Sequence, residues 1–349
     1  MAHSLPETFA PLLLRWYAAG HRDLPWRQDR EPYHIWLSEI MLQQTRVEAV
    51  RGYYARFLAE LPDIAALAAC EERRLTKLWE GLGYYSRVRN LQKAAQVIVS
   101  QHGGVFPADY AAIRALPGVG DYTAGAVASI CFDRPTPAVD GNVLRVLARV
   151  TEDPSPVTKQ SVKKSYELLL RPVYEENPGS RGELTQALME LGATVCGPNR
   201  APQCADCPIA ALCLARAHGT ATALPVKAPK RAKRAEEHTV FCLRCGDRLA
   251  VERRPDSGLL AGLWQLPNTP GLLDEQQAGA FASGQGLGDV RLRSARDGRH
   301  IFTHIVWTMR CYTLECSAMP PQYRWATPDE LRTEISLPTA FRQFLEDTY

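Results

Sequence analysis

The hydrophobic rhythm of the chain changes once, and that change limits the fold more than any single motif. Up to about residue 217, apolar residues recur at three and four spacing in Pro32-Glu60, Arg74-Leu82, Leu91-Ser100, Tyr122-Phe132, Asn142-Arg149 and Val162-Tyr174. That period puts one apolar stripe on each of a series of helices. From Thr239 the apolar positions alternate instead: Thr239 to Cys245, a Gly246-Asp247 turn, then Arg248 to Arg254 read as a hairpin. Ile301 to Leu314 reads as a further strand or strand pair, and Thr327-Pro328-Asp329-Glu330 opens a helix as a capping box. Between the two rhythms, His218 to Glu237 is rich in Ala, Pro, Thr and cations, with Lys227, Lys230, Arg231, Lys233 and Arg234 close together. Such a stretch reads as a solvated connector. The expected organisation is therefore an α-helical region at 1–217, a basic linker at 218–237, and a smaller α/β domain at 238–349.

A chain of 349 residues with 46% hydrophobic and 23% charged residues can fill two cores, so disorder is not its main feature. The net charge is only +3, so a polyanionic partner must be met by a local basic face. No apolar run approaches membrane-spanning length, and the first residues lack the layout of a signal peptide. A monomer in the cytoplasm, associated with the bacterial nucleoid and not with a membrane, is the expectation. Four of the ten cysteines are bunched between Cys196 and Cys213, which points to a metal in a reducing compartment rather than to disulfides.

The chemistry gathers around Leu116-Pro117-Gly118-Val119-Gly120 and the Ala138-Val139-Asp140-Gly141-Asn142 stretch that follows. Pro117 stops one helix, and Gly118 and Gly120 permit a tight hairpin that leaves amide N–H groups at the start of the next helix. Those amides suit a phosphate and hold a nucleic-acid backbone without reading its sequence. A plain interhelical turn is the blander reading of this stretch. Asp140 stands at the N-cap of the run Val143, Leu144, Val146, Leu147, Val150, where the helix dipole favours an ionised carboxylate. Glu39 lies in an apolar helix beside Ile35, Trp36 and Leu42, where desolvation would raise the pKa as a general acid requires; a structural salt bridge is the blander reading of Glu39 taken alone. One protonated and one ionised carboxyl are what cleavage of a glycosidic bond asks for.

Hairpin, helix and capping Asp140 together resemble the helix-hairpin-helix DNA glycosylase superfamily, in which that aspartate faces the sugar of the damaged nucleotide. More specifically, LPWR, SEIMLQQTRV, GLGYYSRVRNL, LPGVGDYTAGAV, AVDGNVLRVLAR and ALMELGATVC resemble MutY-type adenine DNA glycosylases over most of residues 20 to 215. The resemblance implies double-stranded DNA as partner and removal of adenine mispaired with 8-oxoguanine or guanine. It makes Glu39 the acid that protonates adenine and Asp140 the carboxylate that stabilises or briefly bonds the sugar, with Tyr122 and Asn142 supporting them. Arg27 and Gln186 match positions that contact the extruded adenine. Leu42, Gln44 and Tyr84 match residues that wedge into the duplex and meet the orphaned partner, where an amide and an aromatic plane replace lost pairing and stacking. Endonuclease III-like relatives carry a lysine where this chain has Tyr122. A tyrosine forms no Schiff base, so a monofunctional enzyme that leaves an abasic site is expected.

The cysteines run Cys196-x7-Cys204-x2-Cys207-x5-Cys213. Spacing alone admits an iron–sulfur cluster or structural zinc. The family resemblance implies a [4Fe-4S] cluster, although its members have six residues between the first two ligands where this chain has seven. Cys242 and Cys245 form another Cys-x2-Cys, but they alternate along a strand and lack a partnering pair.

In the second domain, Gly258-Leu259-Leu260-Ala261-Gly262-Leu263-Trp264-Gln265-Leu266-Pro267 resembles the segment ahead of the catalytic helix of Nudix hydrolases. Asn268 to Gly288 offers only Asp274 and Glu275 where paired glutamates for magnesium should stand, so hydrolysis of nucleotides is not expected. Phe302-Thr303-His304 matches the family's Phe-Ser-His loop, which implies contact with 8-oxoguanine, with Thr for Ser. Two rivals remain at this stage. An endonuclease III-like pyrimidine glycosylase and lyase is disfavoured by Tyr122 and by the second domain, and a non-catalytic iron–sulfur DNA-binding module by the presence of both Glu39 and Asp140.

Overall fold

The computed structural model describes residues 4–198, 201–229 and 232–345. Chain contacts sort it into two units that do not follow sequence order: Met1–Ala69 with Asn90–Pro229, and Cys70–Arg89 with Lys230–Tyr349.

The first unit is helical. Pro32–Leu42 is buried at Tyr33 and from Ile35 through Met41, as expected of a helix whose apolar residues leave almost no polar stripe. The Pro32-Glu60 periodicity is broken, however, into Pro32–Leu42 and Val47–Glu60, because Gln44 takes a left-handed φ of 58° and turns the chain. Tyr110–Ala115 and Asp121–Phe132 flank the glycine hairpin, and Gly141–Val150 begins behind the cap of Asp140. Gly141–Val150, Gln160–Glu175 and Arg181–Thr194 bring Val146, Leu147, Leu170, Tyr174, Leu184 and Leu188 into one core with Phe9 and Leu13 of Phe9–Ala19. Only one hairpin glycine uses its freedom. Gly118 has φ 74°, and a Cβ there would lie 2.6 Å from Asn90 Cβ. Gly120 is an ordinary extended N-cap with φ −92° and open space around it, which corrects the expectation that both glycines are conformationally required.

Among the described residues the second unit is built on a seven-stranded sheet: β1 (Arg234–Cys245), β2 (Arg248–Arg253), β3 (Trp264–Gln265), β4 (Asn268–Pro270), β5 (Val290–Ile301), β6 (Ile305–Cys316) and β7 (Arg324–Ala326). The order is β3-β2-β1-β6-β5, with β4 added to β1 and β7 to β2. β1 and β6 run parallel from Arg234↔Ile305 to Arg244↔Glu315, and β5 returns antiparallel on β6. One face carries Val240, Trp307, Met309 and Cys311 against Leu331, Ile335 and Phe341; the other carries Phe241, Tyr312 and Leu314 against Ala278 and Ala282. The β1–β2 hairpin and the capping box at Thr327 are as the alternation indicated.

Two boundaries differ from the sequence reading. β1 begins at Arg234, so the last part of the expected linker is strand; Lys230 and Arg231 lie outside the described residues. More consequentially, Cys70–Arg89 belongs to the second unit. Lys77 Nζ donates to the carbonyls of Leu331 (2.8 Å) and Ile335 (3.1 Å), Arg73 pairs with Glu334 (2.7 Å), and Tyr85 bonds Ser336 (3.1 Å). These partners stand some 250 residues away in sequence, beyond what a helical period can report.

Candidate active site

In the first unit, Arg27, Glu39, Leu42, Gln44, Tyr122, Asp140, Asn142 and Gln186 line one cavity of about 640 Å³. Glu39 is 7% exposed, and the Tyr122 hydroxyl donates to its Oε2 at 2.5 Å. Burial pushes its carboxyl up to about 7; the Tyr122 bond opposes that, Asp140 adds to it and Arg27 subtracts. A carboxyl in this state holds a proton near neutral pH and can give it away. Burial first, and then the Glu39 charge, drive the Tyr122 phenol well above its usual range, so it acts as a donor and not as a base.

Asp140 is the N-cap expected. Its Oδ1 accepts from the backbone of Asn142 (2.9 Å) and Val143 (2.8 Å), and Oδ2 from the Asn142 amide (2.8 Å). These donors favour the ionised form, as the helix end led one to expect, but burial outweighs them and the net shift is upward. The two carboxyls still differ in kind. Asp140 has three N–H donors that favour its charged form, whereas the phenol of Tyr122 is what bonds Glu39.

Behind the cavity lies a layer not singled out in the sequence. Glu190, 2% exposed, accepts from Arg22 Nε and Nη2 and from Arg27 Nη2, each at 2.8 Å. Burial opposes its charge, but the bonds and charges of Arg22 and Arg27 prevail and hold it down at about 2. The Tyr17 hydroxyl bonds Gln186 Oε1 (3.1 Å), and Arg27 lies over the Tyr17 ring at 5.6 Å. The spacing from Gln186 to Glu190, one helical turn, was the available signal. On the far side, the buried Arg145 joins Asn142 Oδ1 (2.9 Å) to the carbonyls of Gly192 and Cys196 (2.7 Å each).

Cys196, Cys204, Cys207 and Cys213 all line a second, apolar cavity. Burial raises the thiols of Cys207, to about 11, and Cys213, while Arg149 Nη1 donates to Cys196 Sγ at 3.1 Å. Four thiols on the wall of one apolar cavity are a donor set that suits an iron–sulfur cluster or structural zinc. Asn199 and Arg200, within the seven-residue spacing, lie outside the described residues.

In the second unit, Tyr84, Phe302, Thr303 and His304 occupy two loops. Tyr84 has a left-handed φ of 47° and is 45% exposed, and its hydroxyl bonds Thr303 Oγ1 at 2.8 Å. Phe302 packs edge-on against Trp307 (4.9 Å) and His300 (4.5 Å), while Thr303 and His304 are exposed at the β5–β6 turn. Gln44 and Tyr84, both matched to duplex wedges, share the rare left-handed backbone, an outlier for residues of their size.

Comparison with known proteins agrees with this architecture. Residues 37–172 match the HhH-GPD superfamily of base excision DNA repair proteins, and residues 239–347 match the NUDIX domain. Adenine DNA glycosylase of Mus musculus is 36% identical over 92% of this chain and 74% of its own length, and that of Homo sapiens 36% over 93% and 71%. This chain belongs to the adenine DNA glycosylases. The glycosylase is also similar in structure to a thermostable thymine-DNA glycosylase, at 27% identity and a TM-score of 0.53, covering 61% of this chain and 96% of that one. Its substrate is therefore DNA, and its reaction is base excision.

Proposed function

We propose that this glycosylase excises adenine opposite 8-oxoguanine or guanine by hydrolysing the N-glycosidic bond, and leaves an abasic site without cutting the strand. The observation that carries the reading is the cavity in which the buried Glu39, bonded by Tyr122, shares the wall with the capped Asp140. Glu39 delivers its proton to a ring nitrogen of the extruded adenine as the C1′–N bond breaks and its electron pair leaves with the base. The positive sugar is met by Asp140, whose three N–H donors orient it and favour its charge. Water then bonds C1′ and returns its proton to Glu39, so the acid is restored. Position 122 holds a phenol and not an amine, which supports a monofunctional course.

Arg27 and Gln186, oriented by Glu190 and Tyr17, contact the extruded base. Leu42 and Gln44 enter the duplex where it left, and Gly118 and Gly120 present amides to the backbone. Tyr84, Phe302, Thr303 and His304 serve recognition of the 8-oxoguanine partner: the added carbonyl oxygen and the N7 proton of that base suit a hydroxyl or an imidazole. Cys196, Cys204, Cys207 and Cys213 would hold a [4Fe-4S] cluster, which supplies a clamp across their loop and a redox-active iron centre when bound.

Adenine release from 8-oxoguanine:adenine and guanine:adenine duplexes, followed with and without alkali, tests the proposal. Free adenine and strand scission only after alkali are expected, with the 8-oxoguanine duplex preferred. Scission without alkali, or release of a pyrimidine, overturns it.

A further inference from the structure

Tyr84 stands in a conformation that a large side chain does not hold unaided. Its φ of 47° follows two glycines that are also left-handed, Gly81 at 100° and Gly83 at 69°. Strain of this kind persists only where the surroundings over-determine it.

The surroundings do so through two side chains. Trp79 Nε1 donates to Gly83 O at 3.0 Å, and Arg87 Nη2 donates to Leu82 O at 3.0 Å and Gly83 O at 3.2 Å. The Arg87 guanidinium also lies 5.3 Å from the centroid of the Trp79 ring and 5.5 Å from that of Tyr84. One cation thus fixes the carbonyls on the N-terminal side of Tyr84 and stacks on its ring. Burial lowers Arg87 from its usual range to about 10, a cost borne by a residue that the excision chemistry does not use.

We infer that Arg87 and Trp79 are positioning residues that hold the Tyr84 ring set as a wedge before DNA arrives. The inference rests on the proposed wedge role of Tyr84. A pre-set ring avoids ordering an aromatic side chain and a three-residue turn at the moment of binding, which is where preorganisation raises affinity. Lysine does not substitute for this arginine, because an ammonium has no planar face to lie on the Trp79 and Tyr84 rings while one of its nitrogens bonds both carbonyls.

A double-mutant cycle tests it in the full-length holoenzyme. Arg87→Ala, Arg87→Lys and Trp79→Phe are made with Tyr84 and with Tyr84→Ala, all carrying Glu39→Gln to stop turnover. Affinities are measured for an 8-oxoguanine:adenine duplex and an undamaged duplex, beside melting temperature. With Tyr84 present, Arg87→Ala and Arg87→Lys should weaken binding to the damaged duplex by about tenfold, and Trp79→Phe by about threefold. In the Tyr84→Ala background each effect should shrink below about twofold, and undamaged duplex should be bound as before. Arg87→Lys keeps the charge and most of the side-chain length and loses the planar face, so it reads the effect even if Arg87→Ala folds poorly. Equal losses in both backgrounds, or equal losses on both duplexes, overturn the inference and leave the wedge standing. A Tyr84→Ala that binds damaged duplex normally overturns the wedge reading and the inference together.

Discussion

The cavity around Glu39 and the corner around Tyr84 and Thr303 solve different problems with different materials. The first is walled by a buried and a half-buried carboxyl and is defined by charge: burial lifts Glu39 to about 7, and three N–H donors bond Asp140. The second is exposed, strained backbone whose working quantity is shape: Tyr84 at φ 47°, with its carbonyl neighbours tied to Trp79 and Arg87. A charge state is lost whole when one group is changed, whereas a shape held by several bonds degrades in steps.

That contrast ranks the expected effects. Glu39→Gln or Asp140→Asn should each lower single-turnover adenine release by about two to four orders of magnitude while duplex affinity is kept. Near-normal turnover by either variant would erase the distinction between the two regions.

Glu39 also sharpens the contrast through pH. With a folded pKa of about 7 against an ordinary 4.5, the native state binds more protons than the unfolded chain between those values. The stability contributed by this group is full below about 4.5 and is lost as pH rises through 7, by roughly 3 kcal/mol. Calorimetry at pH 8 should therefore find Glu39→Gln more stable than the unaltered enzyme, and the rate of adenine release should fall as pH rises above about 7. A variant less stable at pH 8 and a rate flat from pH 6 to 9 would show that Glu39 is not a buried acid.

At the exposed corner, Thr303→Ala with His304→Ala should reduce the preference for 8-oxoguanine:adenine over guanine:adenine by about ten- to a hundredfold, on the scale of one good base-edge contact. The guanine:adenine rate should change far less than in the Glu39 variant. Truncation near residue 230 is a poorer test than sequence order suggests. It also strips Cys70–Arg89 of Leu331, Glu334, Ile335 and Ser336, so the melting temperature of the remainder should fall as well.

The smallest effects separate the two hairpin glycines. Gly118→Ala meets Asn90 and a left-handed φ, and should cost about 1–3 kcal/mol in denaturant unfolding. Gly120→Ala has neither obstacle and should stay within about 0.5 kcal/mol. Equal costs would mean that the hairpin is not held in the geometry described.

The sequence by itself determined the helical and alternating regions, the cap of Asp140, the paired carboxyls and the four cysteines. These are local properties: a period, a cap and a spacing are written over a few residues, and the chemistry of Glu39 follows from apolar neighbours on its own helix. Tertiary structure alone decided the rest. Glu190 behind Arg27, Arg145 between Asn142 and Cys196, and the anchoring of Cys70–Arg89 on residues 331–336 all depend on contacts between segments distant in the chain. It also decided the sign of the shift on Asp140, because desolvation depends on everything that surrounds a carboxylate, and the helix end that the sequence reveals is only one part of those surroundings.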